Sequence, residues 1–151
     1  MRKLVTDTLE ELQLTSPDAL ELILGTSAQE SHLGVYRRQL GNGPALGICQ
    51  MEPNTFNDIV NNFLAYKKDL AQRILSISSL ESFDVKELEN NDKFAICMCR
   101  VHYYRVREAI PNNLEGWAYY WKKYYNTPLG KGKEEEFIAN YNKYVLQDNK
   151  I

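Results

Sequence analysis

The sequence predicts an all-α protein, and three observations favour this fold class. Apolar residues recur at helical spacing over most of the chain, as in the run Phe56, Ile59, Val60 and Phe63. No segment shows the apolar-polar alternation with β-branched enrichment that is typical of strands. The glycine-rich stretch 36–50 leaves room for at most a small β-hairpin. We therefore expect helices packed on helices around one core.

The predicted helices follow one another along the chain, and capping residues mark some of their ends. Ser16 is a good N-cap, Pro17 suits a first helical turn, and Gly34 is a plausible stop. Pro111 is expected to end the long apolar helix that precedes it. The predicted helices cover residues 3–14, 17–33, 54 onward, 68–77, 85–108, 114–125 and 134–146.

The helix over 85–108 is expected to be the central, buried one. It carries one continuous apolar stripe, formed by Phe94, Cys97, Met98, Val101 and Tyr104. A chain of 151 residues has the usual size of one domain, so we assign residues 1–151 to a single domain and expect a monomer.

Composition and motif spacing exclude several classes of partner and site. The formal net charge is −2, and no basic patch indicates a nucleic-acid partner. No run approaches the roughly 20 apolar residues of a membrane span, so stable membrane insertion is not expected. The start, MRKLVTDTLEELQL, lacks the apolar stretch of a signal peptide, which predicts synthesis in a cytoplasm without export by that route. Three cysteines and two distant histidines predict neither a metal site nor a cofactor.

Glu30 is the candidate for chemistry from helix geometry alone. Ile23, Ser27 and Glu30 line up along the edge of the apolar face of the second helix, one turn from its end. The glycine-rich loop that follows can fold back over this edge. Partial burial raises the pKa of a carboxyl group, which is what a general acid needs near neutral pH. On position alone, a solvated charge is the more common outcome.

Three short segments carry a resemblance to a known family. They are GTSAQESHLG, then ALGICQMEPNT, and later YYNTPLGKG. Over residues 20–130 the chain resembles the lytic transglycosylases of lysozyme-like fold, including goose-type lysozyme relatives. Glu30-Ser31 matches the Glu-Ser pair that ends a helix in that family. Residues 47–55 match its Gly-Leu-Met-Gln-apolar-x-Pro-x-Thr segment, with Cys49 in the place of Met. Tyr125-Asn126 matches its Ala-Tyr-Asn segment without the flanking Ala, and residues 140–142 are a lower-ranked alternative.

The resemblance implies a role for each matched residue. It implies a lysozyme-like helical domain that cleaves peptidoglycan glycan strands, with Glu30 as general acid and then base. Ser31 would form a hydrogen bond near Glu30 and orient it. Met51, counted with the substrate-binding residues, would be part of the core wall. Gln50 would line the cleft and contact the substrate or Glu30. Tyr125 would position the acid or the sugar, with Asn126 in support.

Alternatives to a transglycosylase remain open at this point. An inverting lysozyme-type hydrolase needs a second carboxylate about 6.5–9.5 Å from the first, and Glu52 or Asp58 could supply it. For Glu52, just before Pro53, a favourable charge at a helix start is the simpler interpretation. A catalytically silent structural or peptidoglycan-binding protein and a chitin- or chitosan-cleaving enzyme are further possibilities. The small size and missing signal resemble bacteriophage-encoded members, which act on the wall after release or as virion components.

Overall fold

Helices form every extended regular element in the part of the chain that the structure describes. The computed structural model describes residues 1–38, 43–127 and 129–148. Within these ranges no β-strand occurs, and the stretch 36–50 contributes only two isolated antiparallel bridges, Arg38 to Leu46 and Leu46 to Met51. Residues 39–42 of that stretch lie outside the described ranges. The predicted all-α fold class is confirmed.

The helices occupy nearly the predicted segments. Their bounds are α1 (Arg2–Leu12), α2 (Pro17–Ser31), α3 (Pro53–Asn62), α4 (Lys68–Ser78), α5 (Asp92–Tyr104), α6 (Leu114–Trp121), α7 (Glu134–Asn140) and α8 (Leu146–Asp148). Two 3₁₀ turns, Leu64–Tyr66 and Val85–Leu88, precede α4 and α5. Two π-helical turns, Lys122–Asn126 and Tyr141–Val145, directly continue α6 and α7. No helix in the described ranges is both long enough and apolar enough to cross a bilayer.

Helix α5 is the central helix, as predicted, but it is shorter than the predicted span 85–108. Nine of its thirteen residues are buried, and it contacts α1, α2, α3 and α4. The helix begins at Asp92 because the Asn91 side chain accepts a hydrogen bond from the backbone N–H of Phe94 at 3.2 Å. It ends at Tyr104, well before Pro111. Tyr103, whose hydroxyl bonds Thr26 at 2.7 Å, is buried in place of the predicted Tyr104, which is half exposed.

Helix α2 begins as predicted and ends three residues before the predicted stop. Ser16 is the N-cap, and its hydroxyl accepts a hydrogen bond from the backbone N–H of Ala19 at 3.0 Å. At the other end, His32 and Leu33 already adopt left-handed backbone conformations with φ of 52° and 58°, ahead of Gly34 at 95°. The helix therefore ends at Ser31, which leaves Glu30 in the last turn.

The C-terminal elements pack across the outer side of α2 and complete one core. Phe137 of α7 and Trp121 of α6 are fully buried, with ring centroids 5.4 Å apart. Gly25 of α2 faces this pair so closely that a Cβ atom there would lie 2.3 Å from Cζ of Phe137. Buried side chains from α1 through the Tyr141–Val145 turn form a single hydrophobic cluster. This packing brings α6 beside the end of α2.

We expect Gly25→Ala to destabilise the protein, although alanine normally favours a helix interior. The added methyl group would overlap the Phe137 ring, and overpacking of this kind costs about 1–3 kcal/mol. Urea unfolding measures the change. In a Phe137→Leu background, Gly25→Ala should cost less stability than it does in the native protein, because the smaller side chain leaves room for the methyl group. A more stable Gly25→Ala variant would contradict the close packing of α2 on α7.

Candidate active site

An open cleft of about 880 Å³ lies where the end of α2 meets the loop before α3 and the π-helical turn after α6. Six of the residues predicted for the site line it: Glu30, Gln50, Met51, Glu52, Tyr125 and Asn126. The other lining residues are Ala45, Thr55, His102, Thr127, Leu129, Gly130, Lys131 and Glu136. Ser31 is fully buried and is not among them. Segments far apart in the sequence therefore meet at Glu30.

The carboxyl group of Glu30 is partly buried and has one strong hydrogen-bond donor. The indole N–H of Trp121 donates to its Oε2 at 3.0 Å. Burial raises the pKa of Glu30 from 4.5 to about 7; the indole hydrogen bond lowers this pKa, and the negative charge of Glu52 raises it further. Near neutral pH, Glu30 is therefore divided between its acid and its carboxylate form. A group in this state can both deliver and accept a proton.

Trp121 belongs to the site, although the sequence does not identify it as a site residue. Its place in the aromatic stripe of residues 117–124 predicts a core residue, and it is indeed fully buried. A buried indole N–H usually needs a hydrogen-bond acceptor, so a tryptophan predicted to be buried is also predicted to have a polar partner. The sequence does not say that the partner is Glu30, 91 positions away.

Ser31 and Tyr125 bind two successive carbonyl groups of the loop between α2 and α3. The Ser31 hydroxyl donates to the carbonyl oxygen of Ile48 at 2.6 Å and accepts from the Gly34 N–H at 2.8 Å. The Tyr125 hydroxyl donates to the carbonyl oxygen of Cys49 at 2.5 Å. These bonds fix the loop from both sides of the cleft. No hydrogen bond joins Ser31 to the Glu30 carboxylate among the described residues, so any orientation of Glu30 by Ser31 is indirect.

Tyr125 also forms part of the cleft wall. Its ring centroid lies 5.1 Å from that of His102 and 5.4 Å from that of Tyr103. Burial raises the pKa of the Tyr125 phenol, so the hydroxyl keeps its proton and remains a donor at neutral pH. The π-helical turn that carries Tyr125 is the kind of local irregularity that often occurs at functional sites.

Gln50 lines the cleft, but its amide N–H groups bind the loop itself. Its Nε2 donates to the carbonyl oxygens of Gly47 at 2.9 Å and Arg37 at 3.1 Å. Gly47 has a φ of 85°, and a Cβ there would lie 2.0 Å from the carbonyl oxygen of Leu88. This loop conformation therefore requires glycine. The Oε1 atom of Gln50 accepts no hydrogen bond from the described residues.

Asn126 shapes the opposite side of the cleft through Lys122. The Lys122 ammonium group donates to Asn126 Oδ1 at 2.8 Å and to the carbonyl oxygen of Gly130 at 2.8 Å. A Cβ atom at Gly130 would lie 2.5 Å from Asn126 Oδ1. The lysine therefore holds the turn at 129–130 against the end of the π-helical segment.

The two candidate second carboxylates occupy different environments. Glu52 is exposed, lines the cleft, and is close enough for its charge to raise the pKa of Glu30. Asp58 does not line the cleft, and Arg105 donates to its Oδ2 at 2.9 Å. Hydrogen bonds from Asn62 and then Arg105 lower the pKa of Asp58. Of the two, Glu52 is the one that the fold brings to the site.

His102 lines the cleft without having been a sequence candidate. Its Nδ1 faces the Arg105 guanidinium at 3.2 Å, and its Nε2 faces the carbonyl oxygen of Tyr124 at 3.1 Å. Because arginine can only donate and a carbonyl can only accept, Nε2 carries the proton. Burial, and then the Arg105 charge, lower the pKa of His102 to about 4. The ring is therefore neutral near pH 7 and supports the cleft wall. No cluster of three metal-ligating side chains occurs in the described ranges.

The raised pKa of Glu30 predicts that stability falls as pH rises. The folded protein holds this proton more tightly than the unfolded chain, so the contribution to the unfolding free energy is largest below pH 4.5 and is lost as pH rises through about 7. The loss is on the order of 3 kcal/mol. Glu30→Gln keeps an acceptor for the indole N–H and removes the titration. We expect the unfolding free energy of Glu30→Gln, minus that of the native protein, to increase between pH 4 and pH 8.

The control is Glu52→Gln, which removes a carboxylate from the same cleft. It should keep most of the native pH dependence, because burial is the largest cause of the Glu30 shift. Denaturant melts at several pH values measure all three proteins. A difference between Glu30→Gln and the native protein that does not change with pH would contradict the burial of this carboxyl group.

Comparison with known proteins finds no relative for this chain. No family model matches it, and neither the curated proteins nor the solved structures contain a match.

Proposed function

We propose that this protein cleaves the β-1,4 bond between N-acetylmuramic acid and N-acetylglucosamine in peptidoglycan, as a lytic transglycosylase that uses Glu30 as general acid and base. The observation that carries the proposal is the Glu30 carboxyl group, partly buried in an open cleft with a pKa of about 7. The motif resemblance supplies the substrate class. The cleft volume of about 880 Å³ leaves room for a few sugar rings. It lies within the roughly 300–1,000 Å³ that is usual for ligand sites.

The proposed reaction needs one carboxyl group in two states. The protonated Glu30 gives its proton to the glycosidic oxygen, the bond from that oxygen to the muramyl C1 breaks, and an oxocarbenium-like centre develops at C1. The Glu30 carboxylate then takes the proton of the muramyl 6-hydroxyl, whose oxygen bonds to C1. The products are a 1,6-anhydromuramyl end and a free 4-hydroxyl on N-acetylglucosamine, and Glu30 is protonated again.

The surroundings of Glu30 support this exchange of roles. The Trp121 N–H favours the carboxylate form and offsets part of the burial, so neither state is strongly excluded at neutral pH. Hydrogen bonds to the carbonyl oxygens of Ile48 and Cys49 hold the loop that contributes Gln50 and Met51 to the cleft wall. A preorganised wall lowers the cost of placing the reacting atoms near the acid.

Glu52 favours hydrolysis as a second candidate reaction. It lines the same cleft, and its charge acts on Glu30. As a general base, it would remove a proton from a water molecule that attacks C1, and the product would be a reducing end in place of the anhydro ring. A protein that binds the glycan without cleaving it is the third candidate, and the same experiments separate it from the enzymes.

The proposal includes the setting expected from the resemblance. The partner is the glycan strand of a bacterial wall, reached after release from a host cytoplasm or from a virion, and the acting unit is a monomer. No metal or cofactor takes part in the proposed steps.

We expect Glu30→Gln to lower the rate of wall lysis by about 10²–10⁴-fold, because the amide cannot deliver a proton. Glu52→Gln is the matched control at the same cleft, and it should retain most of the native rate if the reaction is a transglycosylation. Turbidity of purified cell walls gives the rates. Mass spectrometry of the muropeptides gives the product: anhydro ends support the proposal, whereas reducing ends lost with Glu52→Gln would assign hydrolysis. Undiminished lysis by Glu30→Gln would remove Glu30 as the acid.

Trp121→Phe tests the role of the indole hydrogen bond. Its N–H stabilises the carboxylate, so its loss should raise the pKa of Glu30 above the present value of about 7. Because Glu30 must be protonated in the free enzyme, the alkaline limb of the kcat/KM profile should then move to higher pH. Phe137→Leu, which alters the same aromatic cluster without touching Glu30, should change stability and leave the profile in place. A profile unchanged by Trp121→Phe would contradict the assignment of Glu30 as the titrating group.

A further inference from the structure

We infer that the protein has a second glycan-binding site, away from the cleft, that recognises carboxylate-bearing muramyl side chains. The site is a pocket of about 670 Å³ between the Leu64–Tyr66 turn, the start of α4 and the end of α5. The residues around it are Leu14, Ala65, Tyr66, Lys67, Lys68, Asp69, Leu70, Arg73 and Tyr104. The choice of glycan rests on the proposed function; the anionic character of the ligand rests on the pocket alone.

The pocket is separate from the catalytic cleft. The two concavities share no lining residue. His102 faces the cleft and Tyr104 faces the pocket, and a separation of two residues places them on nearly opposite sides of α5. A sugar unit bound in the pocket is therefore a different unit from the one that contacts Glu30, and both can belong to the same wall.

Positive charge is concentrated at the pocket in a protein whose net charge is −2. Lys67, Lys68 and Arg73 line it, and none of them forms an ion pair with the rest of the described chain. Asp69 is the one acidic residue of the lining. The Arg73 guanidinium donates to the carbonyl oxygen of Leu12 at 3.3 Å, which orients it while leaving further N–H groups. The pocket thus offers three cations to an anionic ligand.

Two tyrosine side chains give the pocket a second kind of contact. Tyr66 is 79% exposed and Tyr104 is 48% exposed, which makes them the most exposed tyrosines described. Tyr104 is kept in place by the Phe63 ring, 6.3 Å between centroids, and by the Arg100 guanidinium 5.8 Å from its centroid. Aromatic rings of this amphipathic kind pack well against the apolar face of a sugar. Leu14, Ala65 and Leu70 provide an apolar lining beneath them.

A sugar with carboxylate side chains fits this combination better than other polyanions do. Binding of nucleic acid or of a lipid surface depends on many cations spread over a broad face, because the contacts are with a uniformly charged partner. Here three cations, Lys67, Lys68 and Arg73, line one concavity beside exposed rings. Peptidoglycan carries free carboxylates on its peptide stems next to sugar rings, so it presents both groups that the pocket can bind.

The test measures binding of the full chain to purified cell walls in a sedimentation assay. All proteins carry Glu30→Gln so that the wall is not digested. Adding Lys67→Glu and Lys68→Glu should weaken binding roughly five- to tenfold, as expected for the loss and reversal of exposed charge contacts. These positions are the N-cap and first residue of α4, where acidic residues favour the helix, so the variant should fold. Tyr66→Ala tests the ring independently. The control is Lys86→Glu, an exposed lysine outside both concavities.

The outcomes separate this site from the proposed catalysis. Weaker wall binding by the pocket variants, unchanged binding by the Lys86 control and loss of native binding when the stem carboxylates are amidated would support the site. Unchanged binding by both pocket variants would overturn it, even if the native enzyme cleaves the wall. Two results would overturn the assignment to stem carboxylates. One is that acid extraction of the wall's phosphate polymers weakens binding more than amidation of the stem carboxylates does. The other is that the protein binds anionic vesicles or oligonucleotides more tightly than it binds the wall. If the native protein cleaves no glycan and the pocket variants still lose wall binding, the site stands and the proposed catalysis fails.

Discussion

The hydrogen bond from the Trp121 indole to the Glu30 carboxyl is the interaction on which the site depends. It joins the end of α2 to the end of α6 inside a partly dry environment, at 3.0 Å. Burial alone would favour the protonated acid, and the indole returns part of that preference to the carboxylate. The balance gives a pKa of about 7. Trp121 packs on Phe137, which packs on Gly25, so the donor of this hydrogen bond belongs to the core rather than to a surface loop.

The second constraint is the rigid loop opposite Glu30. Ser31 and Tyr125 bind adjacent carbonyl groups, and Gln50 binds carbonyls of Gly47 and Arg37 with its amide nitrogen. These three side chains therefore bind backbone groups of the loop with most of their polar atoms. Among the cleft side chains, Glu30 is the one whose pKa, about 7, lies near neutral pH, since the pKa of His102 is lowered to about 4 and that of Tyr125 is raised.

Charge is divided between the two sides of α5. Behind the cleft wall, Arg105 forms an ion pair with Asp58 and donates to the neutral ring of His102, so the charge of Arg105 is offset by Asp58. Glu52 lines the same cleft, and its negative charge adds to burial in raising the pKa of Glu30. On the other side, Lys67, Lys68 and Arg73 gather around exposed tyrosines. An acidic cleft and a basic pocket on one small domain suit a ligand with both neutral sugars and anionic branches.

Local sequence signals determined the helices, because periodicity and capping act over a few residues. Ser16 and Pro17 set the start of α2, the apolar stripe indicated α5, and the position of Glu30 at the edge of a buried face followed from 100° per residue. Tertiary packing decided the rest. It shortened α5, buried Tyr103 in place of Tyr104, and took Ser31 out of the cleft. It also brought the buried Trp121 to Glu30 and His102 to the cleft wall. Each of these outcomes depends on contacts between residues tens of positions apart, which no local pattern encodes.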